Sequence, residues 1–129
     1  MLYLNELDTL NLPKWKYAIF GSGPLAIRGI RENQDLDIIV KQEVWDTLVN
    51  LYPDSLHSTR ICLQIENIEI YRDWLDLSHK INEMIDNAEL IENFPYVQLK
   101  YVLESKAQRG KEKDLKDIEL IKKYIKDNK

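Results

Sequence analysis

The order of signals between residues 16 and 40 constrains the fold most. KYAIF (16–20) reads as a strand that runs into Gly21-Ser22-Gly23. PLAIRGIR (24–31) reads as a short helix that begins at that turn, and DLDIIV (35–40) has the β-branched content of a second strand. Pro24 suits a first helical turn, because its missing N–H would have no partner there and its φ is already set.

The same reading extends to both sides. Leucines 4, 7 and 10 fall at helical spacing ahead of Pro13, and KQEVWDTLVNLY places Val44, Leu48 and Leu51 on one helical face before Pro53. Ser55 to Trp74 alternates and is interrupted at Glu66-Asn67, which predicts two strands joined by a hairpin-like turn. Beyond Trp74 the pattern turns helical, with Ile81 and Ile85 at i,i+4, an apolar stretch around Leu90 and a helix after Pro95 that stops at Gly110. A last helix is expected with Asp114 as N-cap and Leu115, Ile118, Ile121 and Ile125 as its buried stripe. Strands interleaved with helices, then helices alone, predict an α/β (α+β) domain: a small mixed β-sheet flanked by helices, with a helical C-terminal part. At 129 residues one domain is expected, with a core over about 14–76 and a helical extension over about 77–129.

Composition narrows the class. Hydrophobic residues make up 44% and charged residues 31%, with four glycines and four prolines, which fits a globular chain rather than a disordered one. No apolar run is long enough to cross a membrane, and Glu6 and Asp8 interrupt any leader-like start, so a cytoplasmic protein without membrane partners is expected. The lone Cys62 excludes an internal disulfide and is expected to be buried. A net charge of −4 argues against non-specific nucleic-acid binding, yet residues 106–129 hold nine Lys/Arg against five Asp/Glu. A basic tail on an acidic body suits an anionic ligand held at one place.

The chemistry is concentrated in two short motifs. Asp35 and Asp37 lie two apart on a predicted strand, so both carboxylates project from one face with Cα atoms about 6.5–7 Å apart. Two like charges so close raise each other's pKa unless a cation sits between them, and carboxylates so placed can bridge two divalent ions roughly 3.5–4 Å apart. All-oxygen ligands without nearby His or Cys favour magnesium, which is typically shared with substrate phosphates. Gly21-Ser22-Gly23 offers the phosphate half, through close backbone approach, a hydroxyl and the amides at the start of the Pro24 helix. Glu69, between Ile68 and Ile70, faces away from its apolar neighbours on a strand expected to pair near DLDII, and supplies a third carboxylate. The plain alternative makes Glu69 the solvent-facing residue of an edge strand. His57 and His79 have no partner at ligand spacing.

GSG, then RENQDLDI, then a lone acid in IEI resembles the signature of the DNA polymerase beta-like nucleotidyltransferase superfamily, hG[GS], DhDh and h[DE]h. The C-terminal LESKAQRGKEKDLKDIELI is similar to the tail of small bacterial members related to lincosamide and aminoglycoside nucleotidyltransferases. The resemblance implies a nucleotidyltransferase fold in which Gly21 and Ser22 hold the triphosphate of a nucleotide. Asp35 and Asp37 would bind two magnesium ions, and Glu69 would complete the shell of the catalytic one. It further implies transfer of a nucleoside monophosphate from an NTP, ATP first among them, to an acceptor hydroxyl, with release of pyrophosphate. Gln34, where a small hydroxyl residue is common, and Pro24, where many members have a polar residue, depart from the pattern and bear on nucleotide preference.

Two further readings accompany this one. Lys106 and Arg109 share a helix face and Lys113 follows across the Gly110 turn, so all three either converge on phosphates or offset their own helix ends. Arg28 and Arg31 are expected to brace Asp35 or neighbouring acids. A rival class for the whole chain is a catalytically silent nucleotide-binding or regulatory module, such as the antitoxin half of a toxin–antitoxin pair, which the full acidic triad disfavours. A purely structural interaction domain is disfavoured as well, because it would leave the paired aspartates uncompensated. A partner chain or a second copy is a natural way to complete a site with no dedicated acceptor domain.

Overall fold

The computed structural model describes residues 1–56, 62–74 and 77–128. The elements run α1 (Leu4–Thr9), β1 (Tyr17–Phe20), α2 (Gly23–Ala26), β2 (Leu36–Val40), α3 (Gln42–Leu51), β3 (Leu63–Ile65), β4 (Ile68–Tyr71), α4 (Ile81–Asp86), β5 (Glu89–Ile91), β6 (Phe94–Tyr96), α5 (Leu99–Arg109) and α6 (Glu112–Asp127). The strands form one mixed sheet in the order β3-β4-β2-β1-β6-β5. β1 pairs antiparallel with β2 and parallel with β6, while β2 pairs parallel with β4. The chain is thus an α+β domain with a helical C-terminal part, as the sequence predicts.

The period-2 pattern of the strands sorts two cores onto the two faces of the sheet. Leu36, Ile38, Ile68 and Ile70 pack on one face with Leu7 of α1 and Val44, Trp45 and Leu48 of α3. On the other face Ala18, Phe20 and Ile39 meet Leu25, Met84, Ile85, Tyr101, Val102 and Ile121. Each such fully buried aliphatic or aromatic side chain contributes about 1.5–3 kcal/mol of transfer free energy. Asp37 lies between Leu36 and Ile38 in β2, so its side chain falls on the second face, the one covered by α4, α5 and α6.

Four sequence expectations change. The helix predicted over 24–31 is a single turn, Gly23–Ala26, because Gly29 takes a left-handed φ of 74° and the Ile30 amide donates back to the Leu25 carbonyl at 3.0 Å. The stretch around Leu90 is no prelude to a helix. It forms the hairpin β5–β6, so residues 89–96 belong to the sheet and not to a helical extension. Its two-residue turn, Glu92-Asn93, has φ of 50° and 75°, a conformation usually signalled by Asn-Gly or Asp-Gly, and without a glycine the hairpin is silent in the sequence.

The other two changes concern α6. Its N-cap is Lys111, and Asp114 sits one turn in, accepting from the Lys111 amide at 3.3 Å. Of the expected apolar stripe only Ile121 is fully buried, whereas Leu115 is 54% exposed. Asp114 and Asp117 occupy the buried positions instead, since both carboxylates meet cations there. Cys62 is buried as expected, His79 is exposed, and His57 lies outside the described residues. Among the described residues no helix is long and apolar enough to cross a membrane.

Candidate functional site

β2 and β4 run parallel in a register that sets Asp37 beside Glu69. The i, i+2 alternation brings Asp35 to the same face although it precedes the first residue of β2. Each of the three offers a carboxylate oxygen within 4.8 Å of the others. Asp35 is exposed, Asp37 half-buried and Glu69 only 9% exposed, so the cluster grades from solvent into the sheet. β4 has β3 on its outer side, which removes the edge-strand reading of Glu69. Three oxygen ligands at this separation could hold a metal ion, and a donor set without nitrogen or sulfur suits a hard divalent cation.

Gly21 is built against this cluster. Its φ is 62°, and a Cβ there would lie 2.5 Å from Asp37 Oδ2, so the position requires glycine for both conformation and space. Gly23 has a different reason, since its Cβ would collide with Ile19 Cγ2. Ser22, half-buried, caps the one-turn α2 through its carbonyl, which accepts from Leu25 and Ala26 at 3.1 and 2.9 Å. Its hydroxyl makes no capping hydrogen bond. So short a helix adds little dipole, and the turn's capacity for an anion rests on Gly21 and Ser22 themselves.

Gly21→Ala is expected to lower stability by about 1–2 kcal/mol through its left-handed φ and also to displace Asp37. Gly29→Ala is the control, because Gly29 has φ 74° and nothing within 4 Å of its Cβ position. Denaturant unfolding should show similar backbone penalties for both variants, and divalent titration a loss of affinity in Gly21→Ala alone.

The basic residues of the tail have partners that neither sequence reading anticipates. Lys106 is 5% exposed, with its ammonium 2.8 Å from Asp117 Oδ2 and 3.9 Å from Asp114 Oδ1. Arg109 donates to Asp114 at 2.9 Å, and Lys113 is exposed on the first turn of α6. Arg31 reaches across to α6 and forks onto both oxygens of Asp117 at 2.7 and 2.8 Å. Burial pushes the Asp117 carboxyl up, but the hydrogen bonds and charges of Arg31 and Lys106 outweigh it and hold the group below its ordinary value. Arg28 donates to Glu89 at 3.1 Å and to the Pro24 carbonyl at 2.7 Å.

An aromatic group lies on the same face. Trp74 stacks on Phe20 with centroids 4.6 Å apart and donates its indole N–H to Ser105 at 3.0 Å, tying α5 to the sheet beside Asp37. Sequence reading missed this tie, because nothing in the spacing of Phe20, Trp74 and Ser105 predicts their meeting. No protein-family model matches the chain, and no curated protein and no solved structure matches it either.

Proposed function

We propose that the chain is a magnesium-dependent nucleotidyltransferase, moving a nucleoside monophosphate from an NTP to an acceptor hydroxyl. The observation that carries the reading is the juxtaposition of Asp35, Asp37 and Glu69 with the glycine turn whose Gly21 abuts Asp37. The acceptor oxygen forms a bond to the α-phosphorus, the bond from that phosphorus to the β-phosphate bridging oxygen breaks, and pyrophosphate leaves. Asp35, Asp37 and Glu69 would hold the two magnesium ions, whose chemistry would be Lewis-acid stabilisation of the charge on the attacking and leaving oxygens.

The remaining tasks fall to the chain. The Gly21 and Ser22 backbone positions the triphosphate next to Asp37. Glu69, the most buried of the three acids, orients the acceptor and receives its hydroxyl proton on a carboxylate oxygen. Phosphate contacts from Lys106 or Arg109 would require these cations to leave Asp117 and Asp114, whereas exposed Lys113 needs no such release.

Magnesium and NTP together are expected to raise the melting temperature by more than the sum of their separate effects, because carboxylates and triphosphate share the ions. Thermal unfolding with each alone and both combined checks this, and purely additive shifts would sink the two-ion reading. Incubation with magnesium and labelled NTPs in the presence of small-molecule, RNA and protein acceptors tests the transfer itself.

A further inference from the structure

We infer that Asn33 and Glu6 are positioning residues that, acting through the Asp35–Leu36 peptide, fix the Asp35 carboxylate relative to Asp37 and Glu69. The inference rests on the metal-binding reading of that cluster. Asp35 needs such help because the sheet holds it only through the peptide that follows it: β1–β2 pairing starts at Phe20 and Asp37, and β2–β4 pairing at Leu36 and Ile68. Asp35 precedes both ladders and is exposed.

The peptide that follows its Cα is gripped from both sides. Asn33 Nδ2 donates to the Asp35 carbonyl at 3.0 Å, and the Leu36 amide donates to the Asn67 carbonyl at 3.1 Å. Both grips lead back to the N-terminal segment. Asn33, 1% exposed, exchanges hydrogen bonds with the Leu2 backbone, accepting from its N–H at 2.9 Å and donating to its carbonyl at 3.2 Å. Glu6 in α1 takes the Asn67 amide on Oε1 at 3.1 Å and the Asn67 side chain on Oε2 at 3.0 Å. Those two bonds, the side-chain one foremost, hold the Glu6 carboxyl below its ordinary value. Leu2 and α1, the latter on the opposite face of the sheet, therefore bracket the one site carboxylate that lies outside the strands.

A buried amide with three hydrogen bonds also stabilises the fold, so the test must separate the two roles. Mn2+ binding and thermal unfolding are measured on the full chain and on Asn33→Ala, Glu6→Ala, Asp37→Asn and Leu48→Ala. Leu48 is buried in α3 on the far face and serves as a destabilised control. The expected result is a Kd for Mn2+ raised about tenfold in Asn33→Ala, the lower end for outer-shell partners of metal ligands, with a smaller rise in Glu6→Ala and none in Leu48→Ala. If affinity follows melting temperature, so that Leu48→Ala weakens Mn2+ as much as Asn33→Ala, the positioning role is overturned. Wild-type affinity in Asn33→Ala while Asp37→Asn abolishes binding overturns it and spares the metal reading. Should Asn33→Ala not fold, Glu6→Ala decides, and an unchanged Kd there overturns the inference. A wild-type chain without saturable Mn2+ binding, or an Asp37→Asn variant that binds like wild type, removes both readings together.

Discussion

Replacing Asp35 and Asp37 together by Asn is expected to abolish nucleotide transfer and divalent binding while leaving the chain folded, with a melting temperature unchanged or raised. On the proposed reading the two effects differ because Asn removes the metal ligands and, with them, the repulsion between like charges. Asp35, Asp37 and Glu69 bring three like charges within 4.8 Å, and Glu69 is nearly buried, so the repulsion among them opposes folding. Asn keeps the size and removes the charge. Removal of one preorganised electrostatic group at a reacting centre costs about 10²–10³-fold in rate, and two should take transfer below detection. Circular dichroism and calorimetry on the apo chain, alongside a labelled-NTP assay, read both signs. A double variant that still transfers nucleotide would refute the site, and one that unfolds would make the aspartates structural.

The largest stability effect is expected at Lys106. Its side chain is 6% exposed and shares Asp117 with Arg31, so Lys106→Ala leaves a buried carboxylate with one of its two cations. Breaking a buried pair costs about 3–5 kcal/mol when the remaining charge is uncompensated. Because Arg31 still forks onto Asp117, a loss of about 2–3 kcal/mol is expected, lowering the melting temperature by roughly 5–12 °C. Arg109, with its side chain 31% exposed, should cost much less, and exposed Lys113 close to nothing. NTP affinity on the same variants distinguishes structure from phosphate binding. A phosphate contact is worth about 1–3 kcal/mol of binding, and that loss would appear in Lys113→Ala without any change in melting temperature.

The site was more legible than the elements around it. Asp37 and Glu69 stand out in sequence because each carboxylate lies between two aliphatic residues of a strand, and period-2 alternation sets Asp35 on the same side as Asp37. Gly21 could be singled out as the turn residue. The reason it must be glycine, the Asp37 carboxylate against its Cα, needed the β1–β2 register. The hairpin β5–β6 was hidden because Glu92-Asn93 carries no glycine, although the backbone adopts the turn regardless. The C-terminal charges misled for a related reason. Helical periodicity sees Leu115 and Ile125 as a buried stripe, whereas the positions that face the protein hold Asp114 and Asp117, opposite Lys106, Arg109 and Arg31.

Sequence by itself determined the strands β1 to β4, the helices α1 and α3, the Asp35–Asp37 pair and the glycine turn, since each is written in local spacing. The tertiary structure alone decided which residues meet across long separations: Arg31 with Asp117, Trp74 with Ser105, Leu2 with Asn33 and Glu6 with Asn67. Such contacts depend on strand order and on which helix covers which face. Those are set by burial of the two cores as a whole, and no window of neighbouring residues encodes them.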